Sequence, residues 1–129
     1  MRLPMKLVEL LSQSSPGYIA TTMPDGSPHV TQVWVDTDGE HILVNTVQGN
    51  QKVKNLQRDP RVAVCVSDPA NPSGDYDVRG RVVKMTTEGG ADHIEALSLR
   101  YLGGPYPWFG GRDEVRVIVT ISPEAVYTM

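Results

Sequence analysis

Residues 45–62 have the sequence NTVQGNQKVKNLQRDPRV, and this stretch is the most informative part of the chain and contains the first candidate site. An apolar strand is predicted from residue 41 to 44, and a polar turn and a short cationic helix follow it. Asp59-Pro60 ends the helix, because the residue before a proline disfavours helical geometry, and a second apolar strand follows from residue 62 to 66. A polar turn, a helix N-terminus and a lysine in this order are typical of a phosphate-binding site.

Lys52 is the main candidate for contacting an anion. It is predicted in the first turn of the helix, where free backbone amides and the helix dipole favour negative charge. Gly49 would let the backbone approach a ligand closely, and Asn55 shares a helix face with Lys52. Neutral donors are available from Thr46, Asn50 and Gln51. The alternative is that Lys52 belongs to a solvated cationic face, and spacing alone leaves both interpretations open.

Length and composition predict one globular domain spanning residues 1–129. The chain is 40% hydrophobic and 21% charged, and its net charge of −3 does not favour a nucleic-acid or membrane partner. Residues 1–11 lack the apolar core of a signal peptide, and no run approaches the roughly 20 apolar residues of a spanning helix. We therefore expect a cytoplasmic protein.

Hydrophobic periodicity and turn residues predict a mainly β fold. Helices are expected at 4–12 and 90–101 besides the one after Gly49, and loops at 68–74 and 102–112. Strands are expected at 18–22, 29–36, 41–46, 62–67, 76–85, 114–121 and 125–128, with a bulge at Gly80. Tight turns between strands favour an antiparallel sheet, so we predict a small β-barrel with short peripheral helices.

Side chains with obvious catalytic roles are scarce. The histidines His29, His41 and His93 have unrelated spacings, so we expect surface or capping roles and no metal site. Cys65 lies mid-strand and is expected to be a small buried hydrophobe. Thr31 and Gln32 could contact a planar ligand or face water. Trp108 and Phe109 could form a lid, contact a partner or plug a barrel end. No catalytic residue is identified, and a bound cofactor is expected to supply the chemistry.

Several segments together resemble the split β-barrel, FMN-binding-like superfamily typified by pyridoxamine 5′-phosphate oxidase. They are GYIAT at 17–21 with DGSP at 25–28, QVW at 32–34, NT at 45–46 with KVKNLQRDPRV at 52–62, and YLGG at 101–104 with ISPE at 121–124. The resemblance covers nearly the whole chain. It is strongest to the actinobacterial branch that uses the deazaflavin coenzyme F420.

The resemblance implies a homodimer with cofactor sites at the subunit interface. Lys52 and the backbone of 49–51 would hold the cofactor phosphate. Thr31, Gln32 and Val33 would lie along the ring system, while Val78 and Arg79 would approach from the partner chain. Pyridoxamine 5′-phosphate oxidases have Ser-Arg-Lys where this chain has NQK at 50–52. The missing arginine, and the missing long C-terminal segment, argue against that enzyme itself.

Three functional hypotheses follow. The first is a coenzyme F420-dependent oxidoreductase that transfers a hydride to a small conjugated substrate. The second is an FMN-dependent oxidoreductase of the same fold. The third is a non-catalytic protein that binds a flavin or deazaflavin.

Overall fold

The protein folds into seven strands and three helices, and the computed structural model describes residues 1–128. In chain order the elements are α1 (Met5–Leu11), β1 (Gly17–Thr22), β2 (Pro28–Val33), β3 (Val35–Thr37), β4 (Ile42–Val47), α2 (Gln51–Arg58), β5 (Arg61–Asp68), β6 (Asn71–Thr86), α3 (Gly90–Tyr101) and β7 (Arg116–Thr128). The predicted fold class, a mainly β split barrel with short peripheral helices, is confirmed.

All strands belong to one antiparallel sheet with the order β2-β1-β5-β6-β7-β4-β3. The two edge strands, β2 and β3, are separated in sequence by Trp34 alone. Val33 pairs with Gly17 on β1, whereas Val35 pairs with Val44 on β4. The prediction of a single strand from 29 to 36 is therefore wrong, because the chain crosses between sheet edges at Trp34.

The core lies inside the curled sheet and is closed at one end by α1. The buried faces of the strands supply mainly valine and isoleucine, which suit a pleated surface. Leu7, Leu10 and Leu11 of α1 are almost fully buried against this core, which confirms the predicted amphipathic helix. Burial of each leucine stabilises the fold by about 1.5–3 kcal/mol.

The sheet corrects two boundary predictions and one prediction of burial. β6 begins at Asn71, inside the predicted loop, because the chain reverses at once to pair Asn71 with Asp68. β7 continues through Pro123, which lies opposite the predicted bulge at Gly80. The register shifts at this bulge, so the hydrogen bond that a proline cannot donate is not needed there. Cys65 faces the outer side of β5 and is half-buried, so the prediction of a buried hydrophobe is wrong.

The Tyr101 hydroxyl joins α3 to two other parts of the fold. It donates to the Ser15 carbonyl at 2.7 Å and accepts from the Val35 amide at 3.0 Å. Burial raises the pKa of Tyr101, although the Val35 amide works against this shift. Tyr101→Phe should lower the free energy of unfolding by about 1–3 kcal/mol, because two buried backbone groups lose their partner. Urea unfolding measures the loss, and equal losses in Tyr101→Phe and the exposed Tyr18→Phe would contradict this role.

Candidate functional site

A cavity of about 340 Å³ opens where the β2–β3 junction, β4, the N-terminus of α2 and the start of β7 meet. Its wall combines an aromatic side with polar and cationic side chains. The lining residues are Gln32, Val33, Trp34, Asn45, Thr46, Val47, Asn50, Lys52, Ile94, Tyr106, Phe109 and Arg116. This volume lies in the lower part of the range of small-molecule sites, about 300–1,000 Å³.

The turn before α2 places Lys52 on this cavity. Gly49 has a φ of 88°, which a residue with a Cβ rarely adopts, and it reverses the chain after β4. Asn50 then caps the helix: its Oδ1 accepts from the Val53 amide at 3.1 Å, and its Nδ2 donates to Thr46 Oγ1 at 2.6 Å. The first-turn amides, Gln51 and Lys52, have no intrahelical acceptor by position.

Lys52 is a half-buried cation beside a second cation. Burial and the positive charge of Arg116 lower the pKa of Lys52. Within residues 1–128, no carboxylate oxygen comes within 4.0 Å of its ammonium group. A cation that is desolvated and unpaired in this way favours an anionic ligand.

Arg116 is the second cation, and it begins β7 with 8% of its surface exposed. Its Nε donates to Asn45 Oδ1 at 2.8 Å and its Nη1 to Tyr106 Oη at 3.3 Å. Glu114 Oε2 lies 3.6 Å from Nη1. Arg116 was not among the predicted site residues. An arginine inside an apolar strand run was the signal that could have identified it.

His93 lies behind Asn45 with 12% of its side chain exposed, so the expectation of a surface or capping role is wrong. Its Nδ1 lies 3.1 Å from Asn45 Nδ2 and its Nε2 lies 2.9 Å from Asp36 Oδ2. Burial alone would raise the pKa of Asp36, but hydrogen bonds from His93 and the Thr37 amide, with the charge of Arg100, hold it below its usual value.

The aromatic wall combines Trp34 with residues of the 102–112 loop. Trp34 stacks on Tyr101 with ring centroids 5.2 Å apart, and Tyr106 meets its edge at 6.0 Å. Trp108 packs against Tyr106 and its Nε1 donates to Glu95 at 3.3 Å, whereas Phe109 is 75% exposed at the cavity mouth. The loop thus has two anchored aromatics, Tyr106 and Trp108, and one exposed aromatic, Phe109, whose ring centroid lies 5.6 Å from that of Tyr106.

The predicted site residues fall into two groups. Those brought together on the cavity are Gln32, Val33, Thr46, Asn50 and Lys52. Gly49 and Gln51 lie in the adjoining turn, but Asn55 is buried under α2, where its Nδ2 donates to Thr21 Oγ1 at 3.0 Å. Thr31 lies on β2 with a buried Oγ1 that has no hydrogen-bond partner among the described residues.

The remaining predicted residues, Val78 and Arg79, lie on β6 away from this cavity. Val78 is 1% exposed in the core of its own chain. Arg79 faces outward, where its guanidinium stacks over Tyr127 at 5.2 Å from the ring centroid. Of these two residues, Arg79 is the exposed one.

Cys65, Asp75 and Asp77 form a separate cluster on the outer face of β5 and β6, with ligand atoms within 4.8 Å of one another. Burial and the two neighbouring carboxylates raise the pKa of Cys65 to about 12. The thiol is therefore protonated at neutral pH and is a poor nucleophile.

None of the three helices within residues 1–128 has the length and apolarity needed to cross a lipid bilayer.

The split barrel and its cationic, aromatic cavity fit a flavin-type oxidoreductase or flavin-binding protein, the class that the family comparison supports. A family model described as pyridoxamine 5′-phosphate oxidase matches residues 3–129, and the chain belongs to this family.

Solved structures agree with this membership. A protein described as an F420 reductase is 32% identical, with a TM-score of 0.84 and coverage of 97% of this chain and 98% of that one. A conserved hypothetical protein from Mycobacterium tuberculosis is 26% identical, with a TM-score of 0.77 and coverage of 99% and 84%. A Listeria innocua protein proposed to be a pyridoxamine 5′-phosphate oxidase is 20% identical, with a TM-score of 0.71 and coverage of 96% and 95%. The last likeness concerns the fold alone.

Proposed function

We propose that the protein is a coenzyme F420-dependent oxidoreductase that reduces a small conjugated substrate. The observation that carries the proposal is the pair Lys52 and Arg116, two cations on one half-buried cavity, of which Lys52 has no carboxylate partner within residues 1–128. The deazaflavin assignment is supported by the 32% identity to the F420 reductase over nearly the whole chain.

The cavity residues fit the phosphate of such a cofactor. Lys52 and the first-turn amides of α2 would bind it, with a charge-assisted hydrogen bond contributing about 1.5–3 kcal/mol. Asn50 caps the helix through Oδ1 and donates one Nδ2 hydrogen to Thr46, which shapes the turn and leaves its second Nδ2 hydrogen for the ligand. Arg116 lies beside Lys52 and is placed to share the negative charge.

The aromatic wall would orient the ring system and keep water from it. Gln32, Val33 and Trp34 form one side, and Phe109 stands at the mouth. When bound, a deazaflavin supplies a hydride, so the chain must mainly provide position and a dry site. The Tyr101 hydroxyl is committed to Ser15 and Val35, and we do not assign it the role of proton donor.

A homodimer is part of the proposal. The outer face of β1, β2, β5, β6 and β7 carries small side chains at Ala20, Ala63 and Ala125. Around them lie exposed apolar side chains, namely Tyr18, Val30 and Tyr127. This outer face also carries Asp77 and Arg79, and its exposed apolar side chains suit association with a second copy. Sedimentation velocity should give the mass of a dimer, and Val30→Glu should shift it toward the monomer. A wild-type monomer at micromolar concentration would contradict this assembly.

Separate titrations of the purified protein with coenzyme F420 and with FMN test the cofactor. We expect tighter binding of the deazaflavin, and a protein that purifies with bound FMN would count against it. Reoxidation of the reduced coenzyme is then followed with a panel of enones and quinones. Turnover with at least one of them is expected. Tight binding without any turnover would favour a non-catalytic binding protein.

A further inference from the structure

A line of hydrogen bonds leads from the far end of α3 to the cavity. Arg100 Nη2 contacts Asp36 Oδ1 at 3.0 Å, and Asp36 Oδ2 lies 2.9 Å from His93 Nε2. His93 Nδ1 lies 3.1 Å from Asn45 Nδ2, and Asn45 Oδ1 accepts from Arg116 Nε at 2.8 Å. These contacts join three elements, α3, β3 and β4, to the arginine that begins β7.

The chemistry of Arg116 fixes the protons along this line. A guanidinium has donors only, so the Asn45 atom facing it must be the oxygen. The Asn45 amide nitrogen must then face His93 and the Gly90 carbonyl, to which it donates at 2.9 Å. It follows that His93 Nδ1 is an acceptor, and that the neutral ring carries its proton on Nε2 and donates it to Asp36.

We propose that His93, held by Asp36, positions Arg116 through Asn45 and makes anion binding in the cavity dependent on pH. His93 and Asp36 touch neither the cavity nor its ligand, so they are positioning residues. The proposal rests on the proposed function only in taking the cofactor phosphate as the natural anion.

Protonation of His93 disrupts one contact in this series of hydrogen bonds, the contact between His93 and Asn45. Nδ1 then carries a hydrogen that faces the Asn45 amide nitrogen, and two donors meet at about the 3.1 Å contact distance. If Asn45 turns its amide to accept from His93, its nitrogen faces Arg116 and the guanidinium loses its acceptor. If Asn45 withdraws instead, the same contact is lost. Either way Nε of Arg116 loses its acceptor, and the guanidinium is held only through Nη1, by Tyr106 and Glu114.

The charge of a protonated His93 would by itself favour an anion. The surrounding charges therefore decide whether the anion affinity rises or falls on acidification. Asp36 on β3 lies in direct contact and neutralises that charge. Arg100 on α3 already balances the other oxygen of Asp36, and Arg116 on β7 lies beyond Asn45. The net electrostatic gain for a ligand is therefore small, and the loss of position controls the affinity.

Sulfate is a suitable probe, because its charge is constant across the neutral range. Its binding to the full chain is followed by tryptophan fluorescence, since Trp34 lines the cavity, at pH values from about 5 to 8, the range of ordinary histidine titration. We expect the affinity of the wild-type chain to fall by about fivefold or more on acidification, the equivalent of one hydrogen bond.

Two variants distinguish a role of His93 in positioning Arg116 from a contribution to the stability of the fold alone. In His93→Gln one end of the side-chain amide can accept from Asn45 and the other can donate to Asp36, without titrating. This variant should keep the alkaline wild-type affinity at every pH. His93→Leu can make neither contact and should bind weakly at every pH. The ¹⁵N NMR signal of Arg116 Nε should be sharp in His93→Gln and broadened in His93→Leu.

His41→Gln is the matched control, since His41 makes a similar 2.9 Å contact with Asp38 in a surface turn. The sulfate affinity of this variant should depend on pH in the same way as that of the wild-type chain. A flat wild-type profile, tighter sulfate binding at acid pH, or a His93→Gln variant that still titrates would overturn the proposal. Should His93→Leu not fold, the other two profiles still decide. The predicted sulfate pattern without coenzyme binding would refute only the proposed function, whereas coenzyme binding with a flat sulfate profile would refute only this inference.

Discussion

Replacing Lys52 with alanine is expected to weaken binding of coenzyme F420 by about tenfold or more, which corresponds to about 1.4 kcal/mol. Lys52 is the cation at the start of α2, and within residues 1–128 no carboxylate oxygen lies within 4.0 Å of its ammonium group. The variant therefore removes a contact to the ligand without leaving a buried carboxylate unpaired. Titration followed by coenzyme absorbance or fluorescence measures the change.

The fold should survive this substitution. The pKa of Lys52 is lowered in the folded chain by burial and by Arg116. A lysine of this kind weakens the fold at pH values below its folded pKa, and the penalty fades as the pH rises through that pKa. At neutral pH, Lys52→Ala should thus leave the melting temperature unchanged or raise it. Lys54→Ala, an exposed site on the same helix, is the control and should bind normally. Equal affinities in both variants would refute the phosphate assignment.

Gly80→Ala is expected to lower the free energy of unfolding by about 3 kcal/mol or more. A Cβ at residue 80 would lie 2.2 Å from the carbonyl oxygen of Ser122 and 3.3 Å from Cγ2 of Ile121. The nearest atom is backbone in the middle of β7, so a side-chain rotation cannot relieve the contact. The bulge between β6 and β7 must open instead, with loss of ladder hydrogen bonds. Urea unfolding monitored by circular dichroism measures the change.

Gly104→Ala provides the comparison for this prediction. A Cβ at residue 104 meets no atom within 4 Å, so only the general effect of replacing glycine should remain. That effect is below about 1 kcal/mol. A Gly80→Ala protein as stable as the Gly104→Ala protein would show that β6 and β7 separate at the bulge without cost.

The sequence predicted those parts of the fold that depend on local patterns. The helix 90–101 and the hairpin at Asp25-Gly26 are confirmed, because periodicity and turn chemistry act over a few residues. The crossing at Trp34 was missed for the opposite reason. Apolar alternation continues through Val33 and Val35, and only pairing with two distant strands reveals that they belong to opposite sheet edges.

The candidate site likewise has a part that local sequence patterns predicted and a part that they did not. Lys52 and the capped turn before it are encoded in one short stretch, and the structure places Lys52 on the cavity. Arg116 and His93 reach the site only through sheet register and helix packing. Asn45 pairs with Ile118 and Val47 with Arg116, which brings the end of β4 beside the beginning of β7. The spacing of residues in the sequence does not predict that Arg116 lies next to the end of β4.

The crossing at Trp34 also sets how the barrel can deform. Strands β2 and β3 lie at opposite edges of the sheet. They are connected in sequence through the single residue Trp34 and are not paired with each other by backbone hydrogen bonds. The barrel thus has a seam, and Gln32, Val33 and Trp34, which line the cavity, lie along it. The two edges can move apart there without breaking an interstrand bond between them. We therefore expect differences in ligand width to be taken up at this seam, while the paired strands keep their register.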